Sequence, residues 1–269
     1  MRTRLRPRGV LAVPAVAGLV AGLLTGCSSS DKKGPDVPDK GVLVVTDNTA
    51  HPDQHVTLKD AEYAKIAGLS DATAAGKVNQ ALHAPLDWAV KWAGGTLTDD
   101  QKKECQGKSS IIQTKVRLGL RGDDLVSESN AIQMVPCFDG EGGLPTVPVT
   151  VDVKAGKALT ADDVFGSKGL EKDRLKKLWD TLSGPKNDWK DCDLGDLERK
   201  NFFPSKDKED PVEVPPSAGF LFTDQGLEII WSTTGTDCNN FTFTANYDKV
   251  KDFIDKNLYP RLQAAAGQK

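Results

Sequence analysis

Apolar and polar residues alternate with a period of two along two neighbouring stretches of the chain. Between Ile112 and Leu120 every second residue except Thr114 is apolar, with polar residues or glycine between them, which is the pattern of a half-buried strand. The polar run 121–124 predicts a turn, and residues 125–135 return antiparallel to complete a hairpin. Further strands are predicted at Gly41–Val45, at 147–153, in a second hairpin over 220–231, and from Phe241 onward.

Other stretches repeat apolar residues every three or four positions and predict amphipathic helices. One helix begins after Asp71, and we expect Pro85 to end or kink it and to open a second helix that stops at residues 94–95. Trp88 and Trp92 are one turn apart in this second helix. The pair predicts core packing, with a ligand platform as the alternative.

Three shorter helical segments are predicted further along the chain. They are a turn capped by Thr160, a helix over 175–182 halted at 184–185, and a closing helix over 250–258 ended by Pro260. Residues 186–216 are polar, contain prolines and have no period, which predicts a long loop. Antiparallel strands and hairpins with separate helices predict an α+β fold in a single domain, residues 41–261, followed by a disordered tail over 262–269.

Residues 1–26 predict a lipoprotein signal peptide. Four arginines and no acid occupy residues 1–8, and an apolar run from Val10 ends in Leu24-Thr25-Gly26-Cys27. This order is typical of a secretory signal, and its end resembles a bacterial lipobox. A transmembrane anchor is the alternative, but the run is shorter than the roughly 20 residues needed to span a bilayer. We therefore predict that Cys27 carries a diacylglyceryl group and palmitate, which hold the protein on the extracytoplasmic face of the bacterial cell membrane.

Removal of the signal peptide changes the charge of the chain. The whole sequence has 35 basic and 38 acidic residues and a net charge of −3. Four arginines leave with residues 1–26, so 31 basic residues remain against 38 acidic ones, a net charge of −7. This sign argues against nucleic acid as a partner and favours a basic protein or a cation. Residues 27–40 are polar, with glycine and proline, and predict a flexible tether.

Four cysteines follow Cys27, namely Cys105, Cys137, Cys192 and Cys238. An even number in an exported chain predicts two disulfides, for which three connectivities are possible. We favour Cys105–Cys137 and Cys192–Cys238, because the first pair flanks the predicted hairpin almost symmetrically. A zinc site is the alternative, but the sequence has no C-x-x-C motif and no nearby pairing of cysteine with histidine.

The sequence predicts no catalytic residue, cofactor or metal site. It lacks a G-x-S-x-G elbow, and its S-x-x-K matches lie in polar segments without a buried lysine. His51 and His55 are four residues apart, but Pro52 makes the segment a loop. Acidic residues crowd the segment 188–198 without the order of an EF-hand, so a solvated loop is favoured over a calcium site. They are Asp188, Asp191, Asp193, Asp196 and Glu198.

Three short motifs together resemble one bacterial family. They are Ile66-Ala67-Gly68-Leu69-Ser70 followed by Lys77-Val78-Asn79-Gln80-Ala81-Leu82, then the stretch from Val151 to Phe165, and Phe222-Thr223-Asp224-Gln225-Gly226-Leu227. Over roughly residues 60–257 the chain is similar to the RsiV-like family of exported bacterial domains, once catalogued only as a domain of unknown function. That family includes the lysozyme-sensing extracellular part of a membrane anti-sigma factor and a secreted mycobacterial immunogen.

The resemblance implies binding rather than catalysis. We expect this chain to lack the cytoplasmic segment and the transmembrane helix of such an anti-sigma factor. What it would share is recognition of a cell-wall component or of a basic wall-active protein such as lysozyme, which a charge of −7 favours. The resemblance assigns no catalytic residue to this chain.

Two other functions remain open from the sequence. One is a hydrolase of envelope esters or glycans, which would require Asp162, Asp163 and Asp224 to converge in a cleft with shifted pKa values. The other is capture of calcium or another metal by the acidic segment 188–198, which would raise thermal stability when the ion is added. We predict a non-catalytic envelope binding protein, with the hydrolase as the alternative.

Overall fold

The computed structural model describes residues 41–235 and 238–267. The predicted signal peptide, the lipid attachment site at Cys27 and the tether lie outside the described residues. Within this part of the chain, hairpins and separate helices confirm the α+β class. None of the helices described is both long enough and apolar enough to span a membrane.

Seven strands of the described chain form a large sheet. They are β1 (Gly41–Asp47), β2 (Ala50–His51), β3 (Val56–Ala67), β4 (Ser110–Arg121), β5 (Leu125–Val135), β6 (Gly143–Asp152) and β7 (Lys157–Ala158). Their order is β1-β3-β4-β5-β6-β7, with β2 paired to the side of β3. The predicted hairpin is β4–β5, and its pairing is antiparallel.

One pair of strands departs from the antiparallel prediction. Strands β3 and β4 run parallel, with Val56 opposite Ser110 and Ala61 opposite Thr114. The sheet is therefore mixed. The physical reason is the long connection between these strands, because a helical crossover allows the chain to return in the same direction.

Helix α1 (Ala72–Thr96) is the main element of that crossover and covers one face of the large sheet. The side chain of Asp71 caps its first turn. The predicted break at Pro85 was wrong, because the helix continues through this residue and through 94–95. Pro85 is buried, and the apolar stripe packs on the sheet on both sides of it, which offsets the lost backbone hydrogen bond. The stripe consists of Val78, Leu82, Leu86, Ala89, Val90 and Ala93.

Trp88 and Trp92 pack against this core and remain partly exposed. Their rings stack with centroids 5.8 Å apart. The predicted core packing is confirmed for both side chains. Helix α2 (Asp99–Cys105) follows and leads into β4.

Three antiparallel strands of the described chain form a small sheet. They are β8 (Ala218–Phe222), β9 (Gly226–Trp231) and β10 (Phe241–Asn246), with β9 in the centre. The edge strand β8 lies across the face of the large sheet opposite α1. Ser127 donates its hydroxyl to the carbonyl oxygen of Phe222, and a Cβ atom on Gly119 would lie only 2.1 Å from that oxygen. At the other end of β8, Gly219 lies against the ring of Pro148.

Short helices pack on the other face of the small sheet and form an apolar core with it. They are α3 (Ala161–Phe165), α4 (Lys172–Thr181), α5 (Lys186–Asp191), α6 (Tyr247–Val250) and α7 (Leu258–Ala265). Thr160 caps α3, as predicted, and Asp163 completes a capping box with it. The segment 186–216 contains α5 and a 3-10 turn, Arg199–Phe202, within its loops.

The closing helix was predicted wrongly. The structure has α6 and, after a turn, α7, and Pro260 lies in the first turn of α7 instead of ending a helix. A proline is tolerated there because the first amides of a helix have no intrahelical partner. Residues 262–265, predicted as part of a disordered tail, are helical, and Leu262 is fully buried.

Both favoured disulfides are present. Cys105–Cys137 joins the end of α2 to the segment after β5, with Cα atoms 4.9 Å apart. Cys192–Cys238 joins the end of α5 to the loop before β10, with Cα atoms 5.7 Å apart. The connectivity inferred from the symmetry of the hairpin is confirmed.

Candidate binding groove between the two sheets

A groove runs between the free face of the large sheet and the facing side of the small sheet. Three adjoining cavities of about 380, 270 and 230 Å³ make up its length. Arg117 lines the first and second cavities, and Lys115 and Ala131 line the second and third. We call this feature the inter-sheet groove.

The period of two in the strands decides which side chains line the groove. On β4 and β5 the residues that face it alternate with those packed under α1, and on β9 and β10 they alternate with the apolar residues packed against the short helices. The lining is rich in hydroxyl and amide groups. From the large sheet it includes Gln113, Lys115, Arg117, Ser129, Ala131 and Gln133, and from the small sheet Glu228, Ile230, Thr242, Thr244 and Asn246.

The cationic side chains of the groove are paired with acids. Nη1 of Arg117 lies 3.0 Å from Oε1 of Glu228, and the second guanidinium nitrogen contacts the other carboxylate oxygen, so the pair is bidentate. Nζ of Lys115 lies 2.5 Å from Oε1 of Glu62. The net charge of these four side chains together is therefore close to zero.

A small hydrogen-bond network joins the two sheets at the middle of the groove. Oδ1 of Asn240 accepts hydrogen bonds from the hydroxyls of Thr146 and Ser232, at 2.9 and 2.8 Å. The Ser232 hydroxyl also accepts the amide hydrogen of Thr146 at 2.7 Å. The network holds the two sheets at a fixed separation beside the groove.

The three aspartates considered for hydrolysis do not line one cavity. Asp162 pairs with Arg199 at 2.7 Å and borders a separate apolar pocket. Burial alone would raise the pKa of Asp163, but hydrogen bonds from Thr160 and Lys157 lower this pKa below its usual value. Asp224 lines the largest of the three cavities of the inter-sheet groove.

Glu228 shares that cavity with Asp224 and was not singled out in the sequence. It lies in β9, the strand that follows the turn at Asp224. The alternation of apolar and polar residues in that strand predicts that its side chain points away from the apolar core. What the sequence did not contain is its partner, because Arg117 is 111 residues away along the chain.

Two glutamates bridge the place where β3 leaves β4 beyond Ala61. Oε2 of Glu62 accepts the amide hydrogen of Val116 at 3.1 Å. Glu128 reaches across from β5, and its Oε2 accepts the amide hydrogen of Ala64 at 2.7 Å. Each carboxylate therefore replaces a hydrogen bond that the diverging strands no longer make with each other.

The two carboxyl groups have opposite pKa shifts. A hydrogen bond from Lys115, followed by that from Val116, lowers the pKa of Glu62. Glu128 is fully buried, and this burial raises its pKa to about 7, although hydrogen bonds from Ala64 and Asn130 oppose the rise. Its second oxygen, Oε1, has no hydrogen-bond partner among the described residues. Glu128 faces α1 rather than the groove, and sequence reasoning missed it.

The structure also places the residues considered for metal binding. His51 and His55 flank a short 3-10 turn, Pro52–Gln54, so they do not share a helix face. In the acidic segment, residues 188 and 191 belong to α5, and Glu198 pairs with Lys200. Among residues 41–235 and 238–267, no group of three potential metal ligands comes together.

Comparison with known proteins gives matches among solved structures. No family model and no curated protein matches the sequence. Among solved structures, the fold is similar to the crystal structure of a member of the DUF3298 family (BF2082) from Bacteroides fragilis NCTC 9343. The two chains are 12% identical, the match covers 78% of this chain and 88% of that chain, and the TM-score is 0.44. At this TM-score the likeness supports no conclusion about family or function.

Proposed function

We propose that this chain is a non-catalytic binding protein of the bacterial cell envelope and that the inter-sheet groove binds a strand of cell-wall glycan. The observation that supports this most is the lining of the groove. Hydroxyl and amide side chains line all three of its cavities, and both sheets contribute them. A glycan strand carries hydroxyl and acetamido groups along its whole length. Its recognition requires many donors and acceptors on an open surface, with water bridging the remaining gaps.

Both cations of the groove are paired, which favours a neutral polar polymer, whereas two further acids of the lining, Asp60 and Asp224, favour a basic partner. Arg117 and Lys115 are neutralised by Glu228 and Glu62, so these pairs provide little net field for steering a charged partner. The net charge of −7 predicted for the mature chain supports a basic protein instead, and the salt dependence of binding separates the two partners.

A hydrolase is the second candidate, because Asp224 and Glu228 line the same cavity. Glycosidases place two carboxyl groups about 5–9 Å apart across the scissile bond. Against this role, both carboxylate oxygens of Glu228 are already engaged by Arg117. Under the hydrolase reading, the Asp224→Asn variant would still bind wall material and would no longer release fragments.

The test is co-sedimentation of the oxidised protein with purified peptidoglycan sacculi, at low and at high salt. Ala131→Phe is the blocking variant, because Ala131 is exposed on β5 and lines two of the three cavities. Phenylalanine suits a strand better than alanine, so the fold should tolerate it. Ala158→Phe is the matched control, an exposed alanine of β7 that lines none of the three cavities.

We expect the wild type and Ala158→Phe to sediment with sacculi at both salt concentrations, and Ala131→Phe to stay in solution. Release of soluble fragments would instead support the hydrolase. Capture of lysozyme at low salt only, without binding to sacculi, would support the basic protein as partner. Equal sedimentation of all three proteins would contradict the assignment of the groove.

The location in the envelope is part of the same proposal. Its support is the arginine-rich start, the apolar run and the lipobox-like end at Cys27. Cells fed radiolabelled palmitate should incorporate it into the wild-type protein and not into Cys27→Ser. Label in Cys27→Ser would contradict attachment at this cysteine.

A further inference from the structure

A separate cavity, of about 350 Å³, lies at the contact between Gly219 and Pro148, and both residues line it. Its walls come from β6, from the β7–α3 segment, from β8 and from the 202–216 segment. Most lining residues are apolar, and they include phenylalanines and prolines such as Phe202, Phe220 and Pro216. We call this cavity the apolar pocket, and its volume falls in the range of about 300–1,000 Å³ typical of small-molecule sites.

The polar side chains of the apolar pocket are already engaged or out of reach. Three of its lining residues have polar side chains, namely Thr150, Thr160 and Asp162. The Thr160 hydroxyl belongs to the capping box of α3, and Asp162 pairs with Arg199. The Thr150 hydroxyl oxygen is buried and has no hydrogen-bond partner among the described residues. A ligand with buried polar groups would leave them unpaired, so the part that enters this pocket must be apolar.

The pocket opens into a wider groove of about 660 Å³ beside α1. The two share lining residues from β6 and from the 204–215 loop, among them Val149 and Pro204. Trp88 lines this outer groove, and its indole nitrogen donates to the carbonyl oxygen of Glu213 at 2.8 Å. This hydrogen bond ties the loop to helix α1.

The rim of the outer groove carries two lysines and two acids. Lys91 and Lys206 are exposed there and form no ion pair within residues 41–235 and 238–267. Asp87 is occupied by a contact with His83 at 3.0 Å. Glu213 is the second acid at this rim, so acids and lysines are equal in number there.

We propose that the apolar pocket binds the acyl chain of an amphiphile and that Lys91 and Lys206 hold its anionic head group. A linear hydrocarbon chain matches an inner wall that consists mostly of apolar side chains. A head group with one negative charge matches the two lysines at the entrance, which form no ion pair within the described residues. This proposal is independent of the glycan groove, because the two features share no lining residue.

The test is isothermal titration of the full, oxidised protein with sodium dodecanoate below its micellar concentration. Tryptophan fluorescence, to which Trp88 at the entrance contributes, serves as a second readout. We expect saturable binding of one dodecanoate per chain. Ala158→Phe should weaken it by at least about tenfold, because Ala158 lines the pocket and is exposed. Ala131→Phe, at the inter-sheet groove, should bind as the wild type does.

The double variant Lys91→Gln/Lys206→Gln tests the head-group contact on side chains that are exposed and not needed for folding. It should bind dodecanoate several-fold more weakly, with little remaining dependence on salt, whereas a double variant of two remote exposed lysines, Lys168→Gln/Lys190→Gln, should not. Absence of saturable binding by the wild type would overturn the proposal. So would wild-type affinity in Ala158→Phe or in the Lys91/Lys206 variant.

Discussion

Replacing Glu128 with glutamine should stabilise the protein above pH 7. In the wild type the carboxyl group is fully buried, accepts the amide hydrogen of Ala64, and has a pKa raised to about 7. Glutamine keeps the acceptor for Ala64 and cannot ionise. The variant therefore keeps the bridge between the diverging strands and loses the cost of a buried charge.

The size and sign of the effect follow from the two pKa values. The unfolded chain has a glutamate pKa near 4.5 and the folded chain one of about 7. At about 1.4 kcal/mol per unit, this difference amounts to about 3 kcal/mol. Because the folded value is the higher one, this contribution is present in full below pH 4.5 and is lost as pH rises through 7.

The assay is urea unfolding of wild type and Glu128→Gln across this pH range. The free energy of unfolding of the variant, minus that of the wild type, should rise by about 3 kcal/mol from pH 4.5 to pH 8. Glu62→Gln is the control, because the pKa of Glu62 is lowered and its bridge is lost only in more acidic solution. A flat difference curve for Glu128→Gln between pH 4.5 and pH 8 would refute the reasoning.

Three further predictions concern contacts that hold separate elements of the fold together. Arg261→Leu should lower the free energy of unfolding by about 1–3 kcal/mol at neutral pH, because Arg261 holds Asp124 at 2.7 Å and Asp152 at 2.8 Å. Both carboxyl pKa values are lowered, so the deficit should shrink as pH falls below 3.8, and urea unfolding at both pH values checks this. Gly119→Ala should lose about 1–3 kcal/mol through its clash with β8, whereas Gly195→Ala, with open space around it, should unfold in urea as the wild type does. Reduction of the disulfides should remove about 2–4 kcal/mol per bridge, seen as a lower midpoint in thermal unfolding, and an unchanged midpoint would contradict this.

The elements with a strong period were predictable from the sequence. The β4–β5 hairpin and the cap of α3 follow from alternation and from capping chemistry, and both are observed. Two of the errors fell at prolines. Pro85 was expected to end or kink a helix and Pro260 to end one, but the first is packed inside α1 and the second occupies a first turn. Local propensity was overruled by burial at the first site and by position in the helix at the second.

The candidate sites depend on contacts between distant parts of the chain, which a single sequence does not contain. Arg117 meets Glu228 across 111 residues, and Glu128 meets the backbone of Ala64 across 64. In the sequence nothing distinguishes Glu128 from the other acids. Its contact with the backbone of Ala64 forms where β3 no longer pairs with β4, beyond Ala61. The apolar pocket likewise forms only where two sheet edges and a proline-rich loop come together.

The most direct test of the central claim is calorimetric titration of the protein with soluble muropeptides prepared from peptidoglycan. The account predicts one binding site per chain in the wild type and in Ala158→Phe, and affinity weaker by at least about tenfold in Ala131→Phe. Binding of equal strength in all three proteins, or in none of them, would contradict a glycan site in the inter-sheet groove.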